Sequence, residues 1–433
     1  MSIGLFIFYL FVFCYWLFRW AKKHLPENWC RNMLLFAFLL RVGIGLLFGH
    51  YTRNIEYNDY WRLFKESKIE TTWLLHDTHN FFYKDILDNN GYEGNPFASF
   101  FFRNGNNLYF NDLRDNLVIK FNAVLNVFSG CNYYINVLIA NFLAIWCLLA
   151  LVKVFRYWLR PGYRWTVFGA FLLYLPLTVW TSNIQKDMLC LMLLACFLFT
   201  YSFAKNKIGF KRALYWIVGI SSILLLLVIK NYMAMILVVS ALLVWMSRPA
   251  SKHFTRRFWT LLACVFAGFV VSSSLPDSIN FPLLLARKQN GFYDIAGAQP
   301  IPSIPLSGNI GSYLRNMPHA VMNVFFFPIE KSLFTDRIGW LGMASCLFFL
   351  LLTIMAIRFP RKADLWKNPF FLMMFTFCLL EYLLIGEAVA YYGALLRYRA
   401  VPETVFCVLL LQMIDFKKII HYALIKKIYD KKS

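Results

Sequence analysis

Hydrophobic residues run along this chain in long, nearly uninterrupted stretches, and polar residues collect between them. Apolar runs of about 16–22 residues are long enough to cross the hydrocarbon core of a bilayer as α-helices. The pattern predicts eleven spans, at residues 3–18, 33–49, 131–152, 166–182, 187–204, 213–229, 232–247, 258–274, 339–357, 370–386 and 400–414. We therefore expect an all-α polytopic membrane protein with about 11 transmembrane helices.

Composition supports the same class of protein. The 433 residues are 60% hydrophobic and 15% charged, whereas soluble globular proteins average about 45–50% apolar and about 25% charged residues. The first apolar run has no basic segment before it and no small-residue cleavage site after it, so we expect a retained span. The ten cysteines contain no C-x-x-C pair, and the sequence therefore predicts no metal site of that kind.

The distribution of charge predicts the orientation of the spans. Alternate segments between the spans, together with the C-terminal tail, hold 26 of the 44 basic residues and four of the 22 acidic ones. The net charge of these segments is therefore +22, the same as that of the whole chain. The positive-inside rule makes these segments cytoplasmic, with the N-terminus outside and the C-terminus inside. The positive charge is thus a sign of topology, and we expect no nucleic-acid partner.

Two long loops fall on the opposite, extracytoplasmic face. We expect two spans in 1–49, a loop with short helices and a surface helix in 50–130, spans three to eight in 131–274, a second loop in 275–338, the last three spans in 339–414 and a basic cytoplasmic tail in 415–433. The Pro/Gly-rich segment 297–311 of the second loop is expected to be mobile. No ATP-binding loop motif occurs, so the chemistry is expected on the outer face, without nucleotide hydrolysis.

Charged residues at the outer membrane boundary are the candidates for function, because ionisable groups there are costly to keep. They are Glu56 and Asp59 after the second span, Lys186 and Asp187 at the start of the fifth, Lys230 between two spans, Glu381 and Glu387 at the end of the tenth, Arg397 and Arg399 before the last, and Arg41 within the second. Alternatively, such residues end their helices, snorkel to the interface or pair with one another.

One arrangement of these charges would suit the transfer of a sugar from a lipid phosphate. Lys186, Arg397 and Arg399 could hold the phosphate, since arginine presents a planar fork to phosphate oxygens. Asp59 or Glu56 could accept the proton that an attacking hydroxyl must lose. Fixed cations would also stabilise the charge that develops on the leaving phosphate.

Four short stretches carry a resemblance to a known family. They are "EYNDYW" (56–61), "PLTVWTSNIQKDMLCLML" (176–193), "MPHAVMNVFFFPIEKS" (317–332) and "LLRYRAVPETVF" (395–406). Together with the early acidic loop, they resemble the bacterial branch of the GT-C superfamily of polytopic glycosyltransferases. The second stretch is similar to a "P…W.SG..KD" pattern of that family, although Asn183 replaces its glycine. The fourth is similar to an "RYR.P..P" pattern, but Thr404 or a neighbour stands where its second proline would be.

The resemblance implies an integral-membrane glycosyltransferase of the cell envelope. Its donor would be a polyprenyl-phosphate-linked sugar, its acceptor a glycan or lipid, and its site would face the periplasm or cell exterior from the bacterial inner (cytoplasmic) membrane, among membrane lipids. Asp59, followed by Tyr60 in the substrate loop, matches the family's acidic position best, and Glu56 is second. Some members use a divalent cation, which stays open for this chain; no cofactor is otherwise expected.

Two other functions stay open at this point. An O-antigen polymerase or ligase, which takes part in polysaccharide biosynthesis, would use arginine and histidine of a late outer loop. Arg287, Arg315 and His319 lie in the second loop here. A lipid-glycan transporter or flippase would need polar residues at mid-membrane and broken helices in matched halves. The predicted spans hold few charged residues at mid-membrane apart from Arg41.

Overall fold

The computed structural model describes residues 2–25, 27–55, 59–83, 108–159, 164–277, 279–293, 301–326, 337–361 and 364–419. Within these ranges the chain is helical almost throughout and forms no β-strand; an isolated antiparallel bridge joins Pro360 and Ile414. The all-α prediction is thereby confirmed for the described part of the chain.

We number the α-helices of the described ranges in chain order. They are α1 (Ser2–His24), α2 (Asn28–Thr52), α3 (Asp59–His76), α4 (Thr78–Tyr83), α5 (Leu108–Ser129), α6 (Tyr133–Leu159), α7 (Arg164–Leu173), α8 (Leu175–Thr181), α9 (Lys186–Phe203), α10 (Gly209–Ile229), α11 (Asn231–Met246), α12 (Phe254–Ser272), α13 (Phe281–Tyr293), α14 (Ile310–Val321), α15 (Arg337–Arg358), α16 (Pro369–Ala388) and α17 (Tyr392–Met413).

Eight of the described helices are long and apolar enough to cross a membrane, and two shorter apolar helical segments cover Thr166–Thr181 and Asn231–Met246. The predicted span 400–414 falls almost wholly within α17, which also contains Arg397, Arg399 and Glu403. These helices are consistent with a polytopic membrane protein. The count of eleven spans and their orientation stay predictions.

The predicted span 166–182 is not one continuous helix. It consists of α7 and α8, separated at Tyr174, whose ψ of 110° is extended. Pro176 in the first turn of α8 accounts for the break, because a proline ring clashes with the carbonyl four residues earlier and supplies no N–H. Residues 182–185 after α8 are also non-helical, and α9 begins at Lys186.

The chain divides into two compact units. The first comprises residues 1–154 and 171–234. In it, α3 packs on α5, α9 packs on α10, and a buried cluster that includes Phe64, Tyr133 and Met188 joins the first loop to α6 and α9. A buried ion pair between Lys120 and Glu70, at 2.8 Å, adds a polar contact between α5 and α3.

The second unit comprises residues 155–170 and 235–433. Here α16 packs on α17, and α14 crosses α16 so closely that a Cβ at Gly386 would lie 2.6 Å from the Ala320 carbonyl oxygen. Buried amides hold the described part of the segment that was expected to be mobile. Gln289 accepts from the Leu306 N–H at 2.7 Å, and Asn316 accepts from the Ile304 N–H at 2.7 Å.

Candidate functional site

The acidic start of the first loop is anchored in the first unit by an aromatic side chain. α3 begins at Asp59, and Trp61 donates a hydrogen bond from Nε1 to the Gly49 carbonyl oxygen at 2.9 Å. The Trp61 ring also stacks on Tyr133, with ring centroids 4.3 Å apart. These contacts tie the first turn of α3, and Asp59 with it, to the C-terminal end of α2.

Five charged side chains of α3, α5 and α9 then form one connected group, which we call the ionic cluster: Asp59, Arg62, Glu66, Asp115 and Lys186. Arg62 lies 2.7 Å from one oxygen of Asp115, 3.7 Å from Asp59 and 3.5 Å from Glu66. Lys186 contacts the other oxygen of Asp115. The structure therefore connects two predicted site residues, Asp59 and Lys186, through Arg62 and Asp115.

The members of the ionic cluster differ in their electrostatic environment. Partial burial acts to raise the pKa of Asp115, but Lys186 and Arg62 outweigh it, so that the pKa is lowered below its ordinary value. Asp115 is thus held as a carboxylate, which makes it a poor proton acceptor. The Asp59 side chain is 55% exposed and lies farther from Arg62, so it is the more accessible carboxylate of the two.

The two charged residues that open α9 face different partners. Lys186 contacts Asp115, as described above, whereas Asp187 forms an ion pair with Lys230, which lies between α10 and α11. The Asp187 side chain is 1% exposed and that of Lys230 is 9% exposed. This second pair lies in the interior and fixes the start of α9 against the α10–α11 junction.

Polar side chains form hydrogen bonds with the backbone at and just before the non-helical stretch 182–185. Arg41 of α2 donates to the carbonyl and hydroxyl oxygens of Thr181, and Asn141 of α6 donates to the Ser182 carbonyl oxygen at 2.8 Å. Gln185 donates to the Trp180 carbonyl oxygen at 2.7 Å. Backbone groups released by a broken helix must find such partners when water is excluded, and this explains a buried arginine in the second span.

The predicted phosphate ligands of the second unit lie in a helix. Arg399 is buried and donates to Glu403, to the Val324 carbonyl oxygen and to Ser345, at 3.0, 2.9 and 2.7 Å. Arg397 is half-buried in the same helix, and residues two apart on an α-helix lie about 200° apart around its axis. Lys186 belongs to the first unit, and its joint phosphate site with the two arginines stays a prediction.

The remaining candidates are spread over several elements. Arg315 and His319 are exposed, one turn apart, on α14, whereas Arg287 of α13 pairs with Asp277 at 2.8 Å. Tyr60 lies in the first turn of α3 and is partly buried. Glu56 falls outside the described residues. Arg287, Arg315 and His319 belong to the second unit, whereas the ionic cluster belongs to the first.

Sequence reasoning missed three members of the ionic cluster, Arg62, Glu66 and Asp115. Arg62 follows Asp59 by three residues, and on a predicted helix that spacing already indicates a neighbouring pair. Asp115 lies 53 residues from Arg62, at the start of the predicted surface helix, and only the packing of α5 on α3 brings the two together.

Among the residues that the structure describes, no group of three or more His, Cys, Asp or Glu side chains is placed to hold a metal ion. Comparison with known proteins found no match to a protein family, to a curated protein or to a solved structure.

Proposed function

We propose that this protein is an integral-membrane glycosyltransferase of the GT-C type, which moves a sugar from a polyprenyl-phosphate-linked donor to a glycan or lipid acceptor. The observation that carries the proposal is the ionic cluster. It connects an accessible carboxylate, Asp59, with a cation, Lys186, at the first residue of the apolar helix α9. A reaction between a lipid phosphate and a hydroxyl requires these two kinds of group close together.

In the proposed reaction, each member of the ionic cluster has a separate role. Lys186 binds the donor phosphate, and the N-terminus of α9 adds a favourable dipole for an anion. Asp59 accepts the proton of the acceptor hydroxyl as that oxygen attacks the anomeric carbon and the lipid phosphate leaves. Asp115, ionised between two cations, positions Arg62 and Lys186. Tyr60, the residue after Asp59, is a proposed contact for the acceptor.

We place this activity on the outer face of a bacterial inner membrane, with both long loops extracytoplasmic and the C-terminus in the cytoplasm. The support is the segregation of basic residues into alternate segments, which is typical of cytoplasmic loops.

A transfer assay with the purified full-length protein tests the proposal. The donor is a polyprenyl-phosphate-linked sugar, the acceptor a crude envelope glycan, and the readout is labelled sugar in the product. We expect Asp59→Asn to lower the transfer rate by about 10²–10⁴-fold, because a general base is lost. Asp364→Asn is the matched control: Asp364 forms a similar exposed i, i+3 pair, with Lys367, and its loss should change the rate by less than about threefold.

Glu56→Gln is measured in parallel, because Glu56 is the second candidate for the base. Full activity in both Asp59→Asn and Glu56→Gln would show that neither carboxylate accepts the proton.

A polysaccharide polymerase or ligase is the second candidate. Arg315 and His319 favour it, because they share one exposed face of α14. An arginine and a histidine that act together on a lipid diphosphate would have to lie on one face in this way. For this function, His319→Ala should abolish activity while Asp59→Asn retains it. The assay described above includes His319→Ala for that reason.

A further inference from the structure

Arg41 carries a buried charge that the proposed reaction leaves unused. The residue is 0% exposed, and its described partners are the neutral oxygens of Asn141 and Thr181. No acidic side chain of the described residues forms an ion pair with it, and its Nη1 has no hydrogen-bond partner there. A buried guanidinium without a counter-charge is strongly unfavourable, and a bound anion would supply that charge.

Asn183 supplies a second, independent observation. Its side chain is buried at 1% exposure, yet neither the Oδ1 nor the Nδ2 atom has a hydrogen-bond partner among the described residues. Buried amides in folded proteins nearly always have at least one partner, and an unpaired one costs about 1–3 kcal/mol. An unpaired donor of this kind indicates a group that the polypeptide itself does not provide.

The two residues belong to the same break in the helices. Arg41 holds Thr181, and Asn183 lies two residues farther along the non-helical stretch 182–185. Three residues beyond Asn183, α9 begins at Lys186, and the N-terminus of a helix favours anions. α2 approaches the stretch closely, since a Cβ at Gly45 would lie 2.6 Å from the Ser182 carbonyl oxygen.

We infer that Arg41, Asn183 and the start of α9 form a binding site for a phosphate ester. A phosphate would give the guanidinium its counter-charge and would accept from Nη1 and from the Asn183 amide at once. Its carrier would be a lipid, because the flanking segments are apolar helices. Only the identity of that lipid as the polyprenyl donor rests on the proposed function; the phosphate site itself does not.

Asn183→Ala is the informative variant. Its side chain makes no hydrogen bond in the described structure, so its removal should leave the unfolding temperature unchanged or slightly higher. Its loss should nevertheless weaken phosphate binding by about tenfold or more, because a hydrogen bond to a charged group is lost. Thr376→Val is the matched control, since Thr376 is a buried hydroxyl without a partner in the second unit, and it should bind as the wild type does.

Binding is measured on the full-length protein in a maltoside detergent, which carries no phosphate. The probes are a ten-carbon polyprenyl phosphate, a short-chain phosphatidylglycerol and inorganic phosphate, and native mass spectrometry or calorimetry gives each Kd. We expect tight binding of the first probe and weaker binding of the others. Arg41→Gln, which removes the charge, should abolish binding. This variant should also be less stable than the wild type, because the hydrogen bonds from Arg41 to Thr181 are lost.

Each outcome decides the inference. Weaker binding by Asn183→Ala with an unchanged unfolding temperature supports the site, and the preferred probe then identifies the carrier. Equal binding by Asn183→Ala and wild type overturns it, as does a wild-type protein that binds none of the three probes. Phosphate binding without sugar transfer would count against the proposed function alone, whereas sugar transfer with wild-type binding by Asn183→Ala would count against this site alone.

Discussion

At the residue scale, two adjacent side chains illustrate how much depends on tertiary contacts. Lys186 and Asp187 are one charged pair in the sequence, but successive residues on a helix differ by about 100° in direction. They therefore have different partners, Asp115 on α5 and Lys230 beyond α10. Sequence reasoning identified Lys186 as a candidate ligand and explained Asp187 by its position at a helix start. It could not find the partners, because both lie far away in the chain.

The ionic cluster leads to a prediction about pH. The pKa of Asp115 is lower in the folded protein than its ordinary value, because of Lys186 and Arg62. A lowered pKa stabilises the fold above the unfolded-state pKa of about 3.9, and this contribution is lost as the pH falls through the folded-state value. We therefore expect Asp115→Asn to lower the unfolding temperature at pH 7, with a smaller difference from wild type near pH 3.5.

Thermal unfolding in detergent at both pH values measures this difference. Asp277→Asn serves as the control, because Asp277 is largely exposed and Arg287 is its one ion-pair partner among the described residues. A constant difference between Asp115→Asn and wild type at pH 7 and pH 3.5 would contradict an electrostatic origin.

At the element scale, the break between α7, α8 and α9 was not predicted, although its cause is visible in the sequence. Pro176 lies inside the predicted span 166–182, and a proline there breaks or kinks a helix. Hydropathy alone treats it as one more residue of an apolar run. The polar partners of the break, Arg41 and Asn141, come from α2 and α6. Arg41 was a candidate only because of its charge, and Asn141 was not singled out from the sequence.

The close approach of α2 to this break predicts the effect of a single methyl group. A Cβ at Gly45 would lie 2.6 Å from both the Ser182 carbonyl oxygen and Val137 Cγ1, whereas a Cβ at Gly43 would meet no heavy atom within 4 Å. We expect Gly45→Ala to destabilise the protein by about 1–3 kcal/mol, because it overpacks a backbone contact. Gly43→Ala on the same helix should be neutral or stabilising by up to about 1 kcal/mol, as glycine is a poor helix former.

Equilibrium unfolding of the two variants side by side provides the measurement. Equal stability of Gly45→Ala and Gly43→Ala would mean that α2 can move away from residues 181–185 at little cost.

At the scale of the whole molecule, the helical membrane class could be predicted from the sequence, whereas the grouping of side chains could not. Apolar length and composition determine which segments become long helices, and eight described helices meet that requirement. The contacts of Arg399 with Val324 and Ser345 join residues 75 and 54 positions apart. Such contacts depend on packing between elements, which a single sequence does not specify.

The distribution of basic residues predicts the orientation of the whole chain. Because positively charged segments are retained in the cytoplasm, a reporter fused after residue 433 should be active there. A reporter inserted in the second loop, near residue 300, should be active outside. Reporters that require the cytoplasm or the periplasm for activity measure this directly, and activity of both fusions on the same side would contradict the predicted arrangement.

The broken segment also has a consequence for the order in which the protein is made. Synthesis proceeds from the N-terminus, so α2 and α6 are made before residues 181–185. The Thr181 and Ser182 carbonyl groups therefore find their donors, Arg41 and Asn141, already made. Arg41, in contrast, is made long before its acceptor Thr181. Placing an arginine at the centre of a transmembrane helix costs about 2.5–3.5 kcal/mol, so water or lipid headgroups must solvate the guanidinium until Thr181 is made. α2 is thus made early, but its polar contacts are completed late.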